Sequence, residues 1–576
     1  MSERRAANPW RNVYAHPCDW DAQYPPLSLP AMFDDAARRW PERPLTEFLG
    51  RSTSYGALHT EARRFAAGLQ RAGIRPGDRV GLFLPNVPVY VAAYYGALMA
   101  GAVVVNFSPL YTVAELEAQV ADSEARLLVT VDLKALLPTA LEVLRGSALE
   151  RLVVARFASL LPPVAGFAFR MLRRAMLAPV PRQDDVTEWG AMVPRAEPEP
   201  AAIDPERSIA LLQYTGGTTG TPKGAMLTHQ NLTANARQIV AIDPHRSERD
   251  VILGALPLFH VFANTCVLNR TVADGGCVAM VPRFDIGQVL AAVRRTKPTS
   301  FPGVPTMFQA LLADERLEGT DMSSLNLCIS GGAPLPGPVR ERFESLTGVY
   351  VCEGYGLTEC AGVASTNPFN GPGRPGTIGH PFPATRLALL DKDDATAFAS
   401  PGDSGELIIA GPQIMQGYWN RPDADAAAFV DLPDENGTKR RWLRTGDIAV
   451  LEEDGYVRIV DRSKDMISVG GFKVFPSQVE HVLVEHPAVA EAIVLGMPDA
   501  YHGELPRAFV TLKPGHEADA EELRGWLNAR VGKHERVDRV VIRASLPRTM
   551  IGKLDRKALK AEASLETLGG PPLPSG

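Results

Sequence analysis

From Val80 to Ala114 the chain runs for 35 residues without an Asp, Glu, Lys or Arg. So long an uncharged run has two physical outcomes: a helix across a bilayer, or a supersecondary unit buried on every side. The internal punctuation decides between them. Pro85, Asn86 and Pro88 interrupt the run near its start, and Gly96 and Gly101 interrupt it again. The stretch therefore reads as strand, turn, helix and strand, a buried β-α-β piece. Its neighbours fit. Tyr55–Arg71 is helical by pattern, with Leu58, Ala62, Phe65 and Leu69 on one face and Gly73 as the stop, and residues 79–84 form a strand. Helices alternate with apolar runs to about Pro305, which implies parallel sheets covered by helices on both faces.

At 576 residues the chain exceeds one simple core and calls for three or four structural units. Residues 179–205, rich in proline and acidic, read as a solvated connection. From Gly405 the character changes. Short strands are expected at 406–410, 448–451 and 456–460, the last two joined by an acidic turn ending at Asp454-Gly455. They suggest a small barrel-like section closing a large domain. After Asp461 comes a compact α+β pattern, with strands at 490–496, 508–512 and 539–543 and helices at 477–485 and 518–531.

The chemistry concentrates first in Tyr214–Gly224, YTGGTTGTPKG. A short apolar strand at 208–213 precedes it, and Thr228 opens a helical pattern running to Val240. Gly216, Gly217 and Gly220 permit sharp backbone turns whose N–H groups form a concave anion nest. The hydroxyls of Thr215, Thr218 and Thr219 can bond phosphate oxygens, and Lys223 adds charge. The spacing is not that of a Walker loop. The alternative for the segment taken alone is a flexible surface turn.

Four further stretches follow in order: GYGLTE at 354–359, LRTGD at 443–447, DRSKDMISVGGFKVFPSQVE at 461–480 and PRTMIGK at 547–553. Together with the glycine-threonine loop they resemble the signatures of the adenylate-forming enzymes, namely acyl-CoA synthetases, luciferases and peptide-synthetase adenylation domains. LPLFH at 256–260 and GPQIMQGYWNRP at 411–422 are most similar to fatty acyl-CoA synthetases. The resemblance implies an α/β fold: a large N-terminal domain, residues 1–461, of parallel sheets layered with helices plus the barrel-like section. A small mobile α+β domain, residues 462–576, would follow, with a hinge at Asp461–Lys464.

It also implies a chemistry. A carboxylate is a poor electrophile, so it attacks the α-phosphate of ATP, and the thiol of coenzyme A then displaces AMP. Gly354, Tyr355 and Gly356 would carry the adenine, with Tyr355 stacking on it. Thr358 would touch phosphate and Glu359 would hold magnesium, a hard cation suited to a carboxylate beside a hydroxyl. Gly332 and Ala333 would let backbone approach the adenine and acyl group. Asp447 would accept both ribose hydroxyls, and Arg462 would reach ribose or phosphate. Lys553 is the catalytic residue expected for the first half-reaction, a mobile point charge on a loop. Lys464, Gly470 and Gly471 belong to the hinge side that serves coenzyme A. His260 is placed by the acyl carboxylate, against the alternative of a structural helix-start residue.

Two departures stand out. Gly216-Gly217 replaces a Ser-Gly common in relatives, a form that fatty acyl-CoA synthetases share. Gln478 and Lys473 stand where a glutamate and a small polar residue are common. The segments expected to wall the acid site carry Phe262, Val304, Met307, Phe308 and Val363 with few charges, which suits an aliphatic chain better than an amino acid. The reading is therefore a medium- to long-chain fatty acyl-CoA synthetase using ATP, magnesium and coenzyme A. Its alternatives are a synthetase for aromatic or short branched acids, acyl transfer to a separate carrier protein, and a non-catalytic acyl or nucleotide sensor. Retention of Lys553, Glu359 and Asp447 counts against the sensor.

The net charge of −6 offers no electrostatic case for nucleic acid. Six cysteines without a C-x-x-C pair read as thiols of a reducing, cytoplasmic setting, and the first ten residues lack the apolar core of a signal peptide. A homodimer is left open. So is a peripheral membrane contact through residues 151–183, where six arginines and no acidic residue surround an amphipathic run.

Overall fold

The uncharged run is a β-α-β unit. Strand Arg79–Leu82 leads into helix Pro88–Met99, and strand Val103–Asn106 pairs parallel to the first. Every residue of that helix is buried. Gly96 makes this possible, because a methyl there would lie 2.6 Å from the Ala62 carbonyl oxygen of helix Tyr55–Arg71. The computed structural model describes residues 8–215, 222–246, 250–391, 394–462, 464–470, 472–499, 501–549 and 553–567. No helix among them is long and apolar enough to cross a membrane.

Two large sheets organise the N-terminal part. The eight-stranded sheet runs, edge to edge, Gly417–Tyr418, Lys223–Thr228, Ile209–Thr215, Val103–Asn106, Arg79–Leu82, Ala125–Val131, Arg151–Ala155 and Val186–Glu188. A nine-stranded sheet is centred on Val351–Tyr355, Leu327–Gly331, Ser300–Gly303 and Val251–Gly254, all parallel. Helix Pro88–Met99 and helix His229–Ile242 pack between layers, and one continuous core joins both sheets. Parallel strands leave their C-terminal ends and following loops free on one side, which is where a ligand binds in such sheets.

The structure amends three expectations. Between the glycine-threonine loop and the helix lies strand Lys223–Thr228, antiparallel to Ile209–Thr215. The loop is thus a hairpin connection rather than a strand-to-helix turn. Thr228 does cap the helix, in a reciprocal box with Asn231. Residues 179–205 are not wholly solvated: Val186–Glu188 adds an edge strand, and Trp189 is buried, stacked 4.5 Å from Phe65. Val186, Trp189 and Met192 are buried, and their burial draws that acidic segment onto the domain. The barrel-like section takes the form of a five-stranded antiparallel sheet in which Lys439–Leu451 pairs with three neighbours.

Beyond Arg462 the chain builds separate apolar clusters under a second five-stranded sheet. Its long hairpin, Val489–Asp499 with Gly503–Leu512, carries helix Pro476–Val484, and helix Ala520–Asn528 packs on the adjoining strand Val540–Ile542. A short hairpin, Ile467–Val469 with Phe472–Val474, was not expected from the sequence.

Candidate active site

The C-terminal ends of the parallel strands open into one continuous cavity of 2910 Å³. Single-ligand sites are typically about 300–1,000 Å³, so this volume holds more than one ligand. Thr215 and Lys223 face each other in register at the mouth of the hairpin, and both line the cavity. The Tyr214 hydroxyl donates to Asp122 at 2.6 Å, and Arg421 pairs with the same carboxylate, so the base of the hairpin is fixed. Gly216, Gly217, Thr218, Thr219 and Gly220 lie outside the described residues.

Opposite the hairpin, strand Val351–Tyr355 delivers Gly354, Tyr355 and Gly356 to the cavity wall. A methyl on Gly356 would lie 2.1 Å from the Gly362 carbonyl oxygen, so the turn that carries Thr358 and Glu359 can close only over glycine. The Tyr418 hydroxyl donates to Glu359 at 2.7 Å, and the Lys223 ammonium lies 5.4 Å above the Tyr418 ring. Carboxylate, hydroxyl and ammonium thus meet beside the hairpin of strands Ile209–Thr215 and Lys223–Thr228. Thr358 and Glu359 fit a cation that keeps most of its water, since one carboxylate suffices for magnesium. Among the described residues no cluster of three or more His, Cys, Asp or Glu forms a closed metal cage.

The Asp447 carboxylate, almost fully buried, accepts from the Tyr355 hydroxyl and from Arg462 Nε at 3.2 Å. Burial raises its pKa, while Arg462 and the tyrosine work against that rise. Burial also lifts the Tyr355 phenol well above its ordinary range. Lys464 lines the same wall, its pKa lowered by burial and by Arg462.

Lys553 enters from the C-terminal domain. Its Cε lies 2.9 Å from where a methyl on Gly332 would stand, and Gly332 itself has φ of +84°. Burial, reinforced by Arg462 and opposed by Asp447, brings the lysine down to about 8. The loop is closed by Thr549, which accepts from the Lys553 N–H at 3.2 Å and donates its own N–H to the Lys553 carbonyl at 2.7 Å. Behind it Arg556 pairs with Glu480 and donates to the Val494 carbonyl at 3.0 Å.

His260 ends the loop after strand Val251–Gly254 and caps the next helix, its Nδ1 accepting from the Phe262 N–H at 3.2 Å. That leaves the proton on Nε2. Burial and the Lys553 charge lower its pKa to about 4, so the ring is a neutral donor. The helix it starts widens into a π turn over Asn264–Asn269. Buried polar groups tie this region to the strand that leads into the hairpin. The Tyr90 hydroxyl lies 2.8 Å from the Leu258 carbonyl and 2.9 Å from Asn106, which donates to Gln213 at 3.3 Å.

The structure thus gathers His260, Gly332, Ala333, Thr358, Glu359, Asp447, Arg462 and Lys553 around one space. It sets Gly470 apart. That residue turns the short hairpin of the C-terminal domain, donating to the His502 carbonyl at 2.8 Å, away from this wall. Gly471 lies outside the described residues. Three contributors escaped the sequence reading. Glu353 accepts from the Leu335 N–H at 3.1 Å inside the cavity, its pKa raised by burial, and its position just ahead of Gly354 was the available signal. Tyr418 stood within a quoted motif. Glu480 closed a quoted motif, but its partner Arg556 carried no local signal.

The AMP-binding enzyme family model matches residues 33–419, and the AMP-binding enzyme C-terminal domain model matches residues 478–553. A long-chain-fatty-acid–CoA ligase of Bacillus subtilis (strain 168) is 36% identical over 97% of this chain and 98% of its own length. Its counterpart in Escherichia coli O157:H7 is 38% identical over 96% and 98%. The crystal structure of the anthranilate CoA ligase AuaEII in complex with anthranoyl-AMP is 26% identical, covers 96% of this chain and all of its own, and superposes with a TM-score of 0.81.

Proposed function

The chain belongs to the AMP-binding enzyme family, and on that premise we propose that it activates a medium- to long-chain fatty acid as its acyl adenylate and passes the acyl group to coenzyme A. The observation that carries the reading is the meeting of Lys553, His260 and the Thr358–Glu359 turn on one cavity that continues into apolar walls. The carboxylate oxygen must reach the α-phosphorus while pyrophosphate leaves. Lys553 bridges the two reactants and stabilises the charge that builds on the oxygens of phosphorus. His260, neutral, donates from Nε2 to the acyl carboxylate and holds it in line. Thr215 and Lys223, with the threonines of the loop, bind the phosphates of ATP. Magnesium held at Glu359 would neutralise the leaving pyrophosphate. Asp447 binds the ribose hydroxyls, with Arg462 beside it, and Tyr355 stacks against adenine.

Beyond the nucleotide wall the lining turns apolar, through Phe262, Val304, Met307, Phe157, Leu161 and Phe169. Each methylene buried there adds roughly 0.8 kcal/mol, or about fourfold in affinity. No carboxylate among these side chains would pair with a substrate ammonium, which favours a hydrocarbon acid over an amino acid. Residues 1–461 and 462–576 act as the two moving bodies of the cycle.

AMP release measured across a panel of acids, with and without coenzyme A, tests the reading. Decanoate and palmitate are expected to outperform acetate and benzoate in kcat/KM, and product thioester is expected only with coenzyme A. A clear preference for benzoate or anthranilate would transfer the enzyme to the aromatic-acid ligases, a rival represented among its structural neighbours.

A further inference from the structure

Tyr418 stands between two opposite charges beside the hairpin. Its hydroxyl donates to Glu359 Oε1 at 2.7 Å, and the Lys223 ammonium lies 5.4 Å from the centre of its ring. Left together, a carboxylate and an ammonium pair with each other and cancel much of the field that each presents to a ligand. Among the described residues these two meet the same phenol but form no ion pair with each other. A phenol suits that place because it is two-sided: its O–H donates to an anion, and its ring face attracts a cation.

The chain fixes the tyrosine against both partners. Strand Gly417–Tyr418 pairs antiparallel with Lys223–Thr228, with Tyr418 opposite Ala225. The Gln416 and Trp419 N–H groups donate to the Met226 and Gly224 carbonyls at 3.0 and 2.8 Å. The strand that carries Lys223 therefore also carries Tyr418. On the other side, the Met415 N–H donates to the Glu359 carbonyl at 2.9 Å, so one short segment holds both the main chain and the carboxylate of Glu359. The segment is pinned beyond these partners as well. The Tyr418 N–H donates to Asp425 at 2.7 Å, and the Trp419 indole N–H donates to the Asp122 carbonyl at 3.0 Å. A methyl on Gly417 would lie 2.5 Å from Asp425 Oδ2, so the glycine leaves the space which that carboxylate takes.

We propose that Tyr418 is a positioning residue that keeps Glu359 and Lys223 apart, the first available to the cation and the second to the phosphates. The phenol occupies Oε1 of Glu359 and leaves Oε2 for the cation, while the ring holds the ammonium away from that carboxylate. The role rests on the ATP and magnesium reading above and not on the identity of the acid. It is therefore tested without acid or coenzyme A.

Isothermal titration calorimetry measures binding of the ATP analogue AMP-PNP in magnesium and in EDTA, and the ratio of the two affinities is the metal-dependent gain. Glu359→Gln is expected to lose most of that gain. Tyr418→Phe keeps the ring and loses the hydroxyl. Its gain is expected to fall roughly tenfold, the scale of a hydrogen bond to a charged group, with affinity in EDTA unchanged. Tyr418→Leu loses the ring as well, and its affinity in EDTA is expected to fall about threefold in addition. Lys223 can then pair with Glu359. Adding Glu359→Gln is therefore expected to raise affinity in EDTA by a larger factor in the Tyr418→Leu protein than in the wild type. A tyrosine that merely packs would not divide its effect in this way. Thermal melting checks that each variant is folded, and Tyr418→Phe, which keeps the shape, decides the proposal even where the leucine variant does not fold. A full metal-dependent gain in Tyr418→Phe overturns the proposal, as does an equal effect of Glu359→Gln in the wild-type and Tyr418→Leu backgrounds. If Glu359→Gln itself keeps the full gain, magnesium is not held at Glu359, and that reading falls together with the proposal. If Glu359→Gln loses the gain and Tyr418→Phe does not, the proposal alone falls.

Discussion

In the proposed reaction Lys553 acts as a charge, and its surroundings set the pH at which the charge exists. Burial, helped by Arg462, holds it near 8 rather than at the ordinary lysine value of 10.5. Raising the pH through 8 therefore removes the proton, and with it the attraction for phosphate and carboxylate oxygens. The kcat/KM of acid-dependent ATP–pyrophosphate exchange, which reports the free enzyme, is expected to fall with a midpoint near pH 8. Thioester formation from preformed acyl adenylate is expected to lack that limb, and a limb common to both half-reactions would assign it to another group. His260 behaves oppositely. Lowered to about 4, it is neutral throughout pH 5.5–7.5, and no limb is expected where an ordinary histidine titrates. A hydrogen bond to a charged group is worth roughly 1.5–3 kcal/mol, so His260→Ala is expected to raise the KM for acid about ten- to a hundredfold. His260→Gln, which can still donate, is expected to recover part of it. An unchanged KM in the alanine variant would reduce His260 to its cap on the Phe262 N–H.

At the level of elements, what the sequence revealed were features with local signatures. Thr228 announces a helix three residues before Asn231 closes the box, and Tyr55–Arg71 begins and ends where its periodicity does. The glycine and threonine residues of the hairpin, and Gly354–Glu359, are dense enough in unusual residues to be read without a fold. The pairs that hold these pieces in place are not local. Tyr418 reaches Glu359 across 59 residues, Tyr214 reaches Asp122 across 92, and Arg556 reaches Glu480 across 76. Nothing in a linear pattern marks such partners, and the strand Lys223–Thr228 was missed for a related reason: its six residues are recognisable only by their pairing. The Glu480–Arg556 brace shows what such pairs do. Glu480 also accepts from the Val494 N–H at 2.6 Å, so one carboxylate ties a helix, a strand and the segment just after Lys553. Breaking a fully buried pair costs about 3–5 kcal/mol. This one retains some solvent contact, so Glu480→Ala is expected to cost nearer 2 kcal/mol, read by thermal or urea denaturation. Because the lysine loop loses its anchor, adenylation is expected to fall more than ATP affinity. Equal loss of both would make the brace a matter of stability alone.

For the whole molecule, the geometry sets a problem that motion would solve. Lys553 and Gly470 belong to the same small domain, yet only Lys553 borders the cavity. In the proposed cycle the first half-reaction needs the lysine in place; the second needs room for a thiol, and the hinge-side segment around Gly470 resembles the one that serves it. Rotation of the small domain about residues 461–464 would exchange the two faces, as hinge closures do. The structure shows what such a rotation must release. Asp461 accepts from the Ser477 N–H at 3.0 Å, and the Ser477 hydroxyl donates to the Val460 carbonyl at 2.8 Å. These bonds clasp helix Pro476–Val484 to the end of strand Val457–Arg462 and are exposed to competition by water once opened. Proline fixes φ and restricts the residue before it, so Lys464→Pro stiffens the pivot without touching Lys553. It is expected to leave ATP–pyrophosphate exchange near wild type and to slow thioester formation from preformed adenylate at least tenfold. Lys464→Ala removes the same side chain but not the torsional freedom, and is expected to retain the second step. Lys553→Ala gives the mirror image, abolishing exchange while sparing thioester formation. If Lys464→Ala and Lys464→Pro slow the second step alike, the side chain rather than the pivot is responsible, and a fixed arrangement of the two domains would account for both half-reactions.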